Sequence, residues 1–409
     1  MSAVQEFDLL IAGGGMVGAS LACALAGLPL RAAVIERVPP ASEQQPSFDL
    51  RTTALSRSSQ RVLEGLGLWA ELAPQATPIR RVHVSEQGRF GTAVVDAREQ
   101  GVEALGYVIE NRRLGAAFFR RLERADNVEL FIPGSAGEVV TDADGLRLSI
   151  ETERGPRTLR ASLLAIADGA RSRLREAVGI PAASRAYEQV AIIGTVAVGR
   201  PGDGVAYERF TPQGPLALLP AGGDRYVFVL TRHESEAESV LASSEAAFRD
   251  LLQAAFGFRL GRFGRLGQRS AYPLYLTRAR RLTAPRCVVV GNAAHGLHPV
   301  AGQGYNLGLR DVAVLAELLA DALRAGRCDP GDPALLAAYS DWRRRDQRNV
   351  VAFTDGLVRL FELPLPGLGA LRGLALQAFD LLPGARQLLA REAMGLGGRL
   401  PRLVRGLPL

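Results

Sequence analysis

Two glycine-rich strand–turn–helix units, one on each side of a long strand-rich middle, constrain this chain more than anything else in it. The first opens the protein. An apolar strand, Phe7-Asp8-Leu9-Leu10-Ile11-Ala12, runs into Gly13-x-Gly15-x-x-Gly18, with a helical stretch from Met16 to Ala26. A second strand, Arg31 to Ile35, ends in Glu36. Strand, glycines, helix and an acid about 20 residues on make a dinucleotide fingerprint. Gly13 permits the tight turn, Gly15 lets a pyrophosphate approach the backbone, and Gly18 brings helix and strand together. Glu36 would accept from adenosine ribose hydroxyls, and its charge disfavours a 2′-phosphate. The second unit is Gly291 to Asp311, GNAAHGLHPVAGQGYNLGLRD, which follows the strand Cys287-Val288-Val289-Val290 and leads into a helix ending near Ala325. Its backbone N–H groups and helix dipole can face an anion or a polar ring edge. Two such units in this order point to a flavoprotein.

The rest of the chain fits that reading. Its 409 residues allow two or three domains. A hydrophobic content of 47% with 22% charged residues is that of a globular protein. There is no run of 18 residues free of charges and breakers, so a spanning helix is not expected. The acidic start MSAVQEFD moves straight into the first strand, so a secretory signal is not expected. Cys23, Cys287 and Cys328 match neither a metal-ligand spacing nor a disulfide framework, and fit a reducing cytoplasm. All 49 basic residues are arginine, which excludes chemistry that needs a lysine amine. The arginines are spread out without a recognition motif, so the net charge of +7 does not indicate nucleic acid.

The middle of the chain supplies the domain plan. Leu163 to Ala167 reads as a buried strand entering Asp168-Gly169, with a short helix to Val178. Val128 to Ile132 and Gly145 to Glu151 read as strands of a smaller sheet crossing over the first unit. From Gln189 to Leu230, four strands separated by turn signals form a meander. The expected architecture is α/β, with a discontinuous FAD domain (1–75, 101–180 and 270–330). A β-sheet substrate domain (76–100 and 181–269) stands over the cofactor, and 331–409 form a C-terminal helical region. From Gly356 onward that region carries seven arginines against three acids among many leucines. Leu357 to Phe361 and Leu368 to Phe379 would form apolar-faced helices suited to a membrane surface, a partner protein or the protein's own core.

These motifs, with Asp49-Leu-Arg51-x-x-Ala54-Leu, Tyr207-Glu-Arg-Phe-Thr and Gly214-Pro-Leu-Ala-Leu-Leu-Pro220, carry a specific resemblance over essentially the whole chain. The sequence resembles the group A flavin-dependent aromatic hydroxylases of the para-hydroxybenzoate hydroxylase fold. Within them it is similar to the ubiquinone-biosynthesis hydroxylases, the 2-octaprenyl-6-methoxyphenol hydroxylase type in particular. The resemblance implies FAD, O2 and an electron donor (NAD(P)H or a redox protein), with a prenylated phenol attacked through a flavin C4a-hydroperoxide. It also implies a cytoplasmic enzyme, peripheral to the inner membrane or to other proteins of the pathway. Two positions depart from the pattern: Gly291-Asn292 stands where Gly-Asp is usual, and Asn111, flanked by Arg112 and Arg113, where an arginine is usual. Which of those three meets the flavin stays open.

The implied cofactor contacts are Gly13, Gly15, Gly18, Glu36, Arg51, Asn111, Asp168, Gly169, Gly291, Asn292, Pro299, Gly302, Gln303, Gly304 and Asn306. Asn306 would donate to the flavin ring carbonyls. His298, held extended by Pro299, is a candidate to steer substrate or a proton, or to make a structural hydrogen bond. Asp311 would orient the loop, salt-bridge Arg51 or lie at the surface; His295 reads as incidental, and His83 and His233 as exposed. A tryptophan-type halogenase is excluded by the missing lysine and by Trp69 and Trp342 standing alone. A flavin reductase, or a non-catalytic FAD-binding subunit, shares the motifs and is separated by oxygen consumption and by reducibility.

Overall fold

The computed structural model describes residues 4–42, 44–296, 302–327, 329–362 and 383–409. The apolar strand Gln5–Ala12 lies at the centre of a parallel sheet, between Gly155–Ile166 and Ala32–Ile35. Cys287–Val289 extends the sheet beside Gly155–Ile166, and Val128–Phe131 extends it beside Ala32–Ile35. These strands are buried on both faces, which is why they read as continuous apolar runs. Leu9, Leu10, Ile11, Leu163, Leu164 and Val288 form one core with the helices Met16–Leu25 and Gln303–Arg324. The two helices touch closely: a Cβ at Gly308 would sit 2.7 Å from Val17 Cγ2.

A second sheet of nine strands is almost wholly antiparallel. Its main order is His295–Gly296, Ser270–Ala279, Ala182–Val198, Arg225–His233, Gly214–Pro220, Val205–Thr211, Arg81–Glu86 and Thr92–Asp96. Side chains alternate across it, as the two-residue strand period requires. Ile192, Leu216, Leu218, Phe228 and Leu230 pack against Phe248, Leu252 and Phe256 of the helix Glu245–Phe256. Their neighbours Ile193, Ala217, Leu219 and Val229 face the other way, into a cavity. A three-stranded sheet (Thr52–Ser56, Gly106–Glu110, Thr77–Ile79) joins the two layers.

Three sequence expectations change. The strand Ser270–Ala279, expected with the FAD units, pairs along Ala182–Val198 in the second sheet. Its alternating pattern fits a sheet buried on one face. Val128–Phe131, expected in a small crossing sheet, belongs to the main parallel sheet, while Leu146–Thr152 forms an antiparallel extension on Gly155–Ile166. The closing motif moves between layers, from Cys287–Val289 in the first sheet to His295–Gly296 in the second. In the C-terminal region, Pro333–Glu362 and Pro383–Ala393 are helices. Leu368 to Phe379 lies outside the described residues, as does Cys328.

Candidate active site

The opening turn is built so that its glycines cannot be replaced cheaply. Gly13 sits at φ +103°, and a Cβ there would lie 2.5 Å from the Ala167 carbonyl oxygen. A Cβ at Gly18 would fall far inside contact distance of the Gly13 carbonyl oxygen, and one at Gly15 would lie 2.8 Å from Ser47 Oγ. Glu36 closes the cradle. Its carboxylate accepts from the backbone N–H of Gly14 at 2.7 Å and of Val38 at 2.8 Å. Each oxygen keeps acceptor capacity toward the cavity it lines. Glu36→Ala should therefore weaken FAD binding about tenfold or more, since charged hydrogen bonds contribute about 1.5–3 kcal/mol; fluorescence titration of apoprotein with FAD measures it.

The closing motif hangs on a buried ion cluster. Gly291 turns at φ +60°, and its N–H donates to Asp311 Oδ2 at 2.9 Å. The same oxygen lies 2.7 Å from His295 Nε2, while Oδ1 accepts from Arg343 Nε at 2.7 Å and Gln347 Nε2 at 3.0 Å. Burial alone would raise the Asp311 carboxyl, but His295 and Arg343 outweigh it and hold the group well below the usual carboxylate range. Two expectations are corrected here. His295 is fully buried and is a direct partner of Asp311, not an incidental residue. Asp311 holds the Gly291 turn, and its hydrogen bonds go to Gly291, His295, Arg343 and Gln347 rather than to Arg51. Arg51 instead pairs with Asp49 at 2.6 Å, donates to the Pro46 carbonyl and stacks 4.6 Å from the Tyr272 ring centroid.

Asn306 is brought to the cavity, but its amide is engaged within the protein. Nδ2 donates to the carbonyls of Ala54 (2.9 Å) and Gly302 (2.7 Å). Oδ1 accepts from Ser56 N–H (2.8 Å) and Ser59 Oγ (2.7 Å). With both donors occupied, the expected donation to ring carbonyls gives way to a positioning role. Asn306 ties the strand Thr52–Ser56 to the start of the helix Gln303–Arg324. That helix begins after Gly302, at φ +60°, and a Cβ at Gly304 would meet no atom within 4 Å. The positive end of a 22-residue helix thus opens onto the cavity with room beside it.

The other predicted residues divide clearly. Gln303, Arg51, Asn111, Asp168, Gly169 and Asn292 all line the cavity. Asn111 is buried at the start of the helix Asn111–Leu122 and accepts from Thr53 Oγ1 at 2.6 Å. Arg112 and Arg113 turn to Glu110 at 2.6 and 3.6 Å, so of the three candidates Asn111 is the one at the cavity. Gly169 needs its φ of +96°. Burial pushes the Asp168 carboxyl up, against a hydrogen bond from Ser172. His298 and Pro299 lie outside the described residues.

Gly13, Gly15, Glu36, Arg51, Asn111, Asp168, Gln303 and Asn306 all line one cavity of about 1890 Å³. That exceeds the roughly 300–1,000 Å³ of an ordinary ligand pocket, enough for a dinucleotide and a second molecule. One wall is the glycine cradle with Glu36, Arg51 and Asp168. The opposite wall is one face of the second sheet. Val82 faces Val95 directly across the strand pair, and Val84 faces Ala93. The next strand adds Ala206 beside Val82 and Glu208 beside Val84. Leu219 and Ala217 continue these rows, and Leu389, Ala390 and Ala393 of the C-terminal helix close one side. The donors, the helix end and the glycines that a Cβ would block all fit FAD on the first wall. The second wall fits an apolar ring and chain.

The FAD binding domain family profile matches residues 6–354. The chain belongs to this family. It is 40% identical to ubiquinone hydroxylase UbiL of Rhodospirillum rubrum, over 100% of this chain and 95% of the relative. It is 33% identical to 3-demethoxyubiquinol 3-hydroxylase of Escherichia coli, over 96% and 99%. Among solved structures, p-nitrophenol 4-monooxygenase PnpA from Pseudomonas putida DLL-E4 superposes with a TM-score of 0.80, covering 97% of this chain and all of that one. At 19% identity this last likeness shows the fold. The family member is thus a flavin-dependent monooxygenase.

Proposed function

We propose that the protein hydroxylates the aromatic ring of a prenylated phenol on the route to ubiquinone, with FAD, O2 and an NAD(P)H-type donor. The observation that carries this reading is the contrast between the cavity's two walls. A polar, glycine-lined wall for a dinucleotide faces a mainly apolar sheet surface made of Val82, Val84, Ala93, Val95, Ala206, Ala217 and Leu219, with the Glu208 carboxylate among them. Such a surface favours a ring with a hydrocarbon tail at about 25 cal/mol per Å² buried. The names of the relatives support the same substrate class.

When bound and reduced, FAD supplies the oxygen-activating chemistry; the protein's part is placement and exclusion of water. The helix end at Gly302–Gly304 would stabilise negative charge on a cofactor held beside it. Asn306 fixes that helix end against the strand Thr52–Ser56, and Asp311 fixes the Gly291 turn. The apolar rows hold the ring against the first wall and keep water from it. A phenol activates its own ring through its hydroxyl, so no protein nucleophile is required.

The test is the quinone profile of a deletion strain by mass spectrometry, with and without the gene restored under aeration. Loss of ubiquinone, with a prenyl-phenol lacking one hydroxyl accumulating, is the expected result, and the mass of that intermediate places the step. Normal ubiquinone in the deletion strain, in a background without a second hydroxylase, would overturn the proposal. Purified protein should also consume O2 with a donor and a short-tailed phenol, which a reductase or a non-catalytic subunit would not do.

A further inference from the structure

The two cavity-lining strands Arg81–Glu86 and Thr92–Asp96 turn back at a hairpin whose tip holds Phe90, 81% exposed. Phe258, 65% exposed, follows the end of the helix Glu245–Phe256. These are the two large exposed phenylalanines among the described residues. The segments that carry them are stitched together. Gln87 Nε2 donates to the Ala254 carbonyl at 3.0 Å, and Arg209, on the strand beside the hairpin, reaches the Ala255 carbonyl at 3.1 Å and Ser85 Oγ at 3.3 Å. Single exposed apolar side chains are ordinary, whereas large ones gathered on one patch mark a binding surface.

The charge beside the pair is positive and uncompensated. Arg89 and Arg259 are both exposed, next in sequence to the two phenylalanines, and neither forms an ion pair among the described residues. Arg259 meets the imidazole of His83, whose ionisation burial and the Arg259 charge push down to about 4, so the ring stays neutral beside it. Aromatic tips flanked by arginines, with no acid matched to them, complement an apolar layer beneath anionic headgroups. No described helix is long and apolar enough to cross a membrane.

We infer that Phe90 and Phe258, with Arg89 and Arg259, form a docking surface for an anionic lipid bilayer. The surface lies at the end of the strand pair that lines the apolar wall. It rests on the proposed prenylated substrate only for its purpose, since such a substrate resides in lipid; its residues define it independently.

The experiment is flotation of the FAD-loaded full chain with two kinds of vesicle, phosphatidylcholine alone and phosphatidylcholine with phosphatidylglycerol. Wild type should float with the anionic vesicles and much less with the neutral ones. Phe90→Ser with Phe258→Ser should lower the bound fraction about tenfold or more, as expected for losing two partly inserted aromatic side chains. Arg89→Ser with Arg259→Ser should abolish the preference for anionic lipid. Flavin content and O2 consumption with a short-tailed phenol should be unchanged in both variants, which separates this inference from the proposed reaction. Equal flotation of the double phenylalanine variant and wild type would overturn the inference. So would wild type that ignores vesicles, including the case where the patch instead captures a protein partner.

Discussion

A Gly18→Ala chain should purify without flavin. The added methyl would point at the Gly13 carbonyl oxygen, which is backbone inside the turn and cannot rotate away, with Ile11 Cγ2 behind it at 3.3 Å. Relief requires the helix Met16–Leu25 to withdraw from the strand, and that opens the cradle. Overpacking of this kind costs roughly 1–3 kcal/mol, and the opened turn also loses its N–H alignment. The expected loss of FAD affinity is about a hundredfold. Visible flavin absorbance per mole of purified protein measures it. Gly304→Ala is the matched control. Its methyl meets no protein atom within 4 Å, so the protein should unfold at the wild-type denaturant midpoint. Any fall in flavin affinity then reports how near the cofactor lies to that helix end. Full flavin stoichiometry in Gly18→Ala would show that the turn is not the cofactor's seat.

That turn was legible in the sequence because everything it needs is local. Strand, glycines, helix and Glu36 lie within about 30 residues, and each obeys a backbone rule that leaves a residue signature. The meander was legible for the same reason, since alternation and turn residues mark Gly214–Pro220 and Arg225–His233. Which face of those strands is packed and which lines the cavity was not legible. Leu218 and Leu219 differ only in what covers them, and that is decided by the helix Glu245–Phe256 arriving from further along the chain. Asn306 was recognised, but its partners Ala54, Ser56 and Ser59 lie about 250 residues away, so its amide was assigned to the wrong neighbour. His295 had no signal at all. Its role depends on Asp311 across the turn and on Arg343 on the next helix, with no spacing rule linking the three.

Asp311→Asn should be the most damaging single polar substitution in the chain. The wild-type carboxylate serves four partners in a site closed to water: Gly291 N–H, His295, Arg343 and Gln347. Asparagine keeps one acceptor and sets its NH2 against groups that already donate. Removing one side of a buried ion pair costs about 3–5 kcal/mol. Asp346 still pairs with Arg343, so the lower end of that range is expected, about 3 kcal/mol in urea unfolding of the FAD-loaded protein. The pH dependence follows from the depressed carboxyl. A folded pKa below the unfolded value of about 3.9 gives stability that is fully present above that value. It is lost as pH falls from there toward the folded pKa. The gap between wild type and Asp311→Asn should therefore be constant from neutral pH to about pH 5 and narrow in stronger acid. Adding Arg343→Met should recover part of the loss, because it removes the guanidinium left without its main partner. A gap under about 1 kcal/mol at neutral pH would mean the cluster is not what holds the Gly291 turn. A full gap with normal flavin content would mean that it holds the fold but not the cofactor, since the same carboxylate fixes both the turn and the helix behind it.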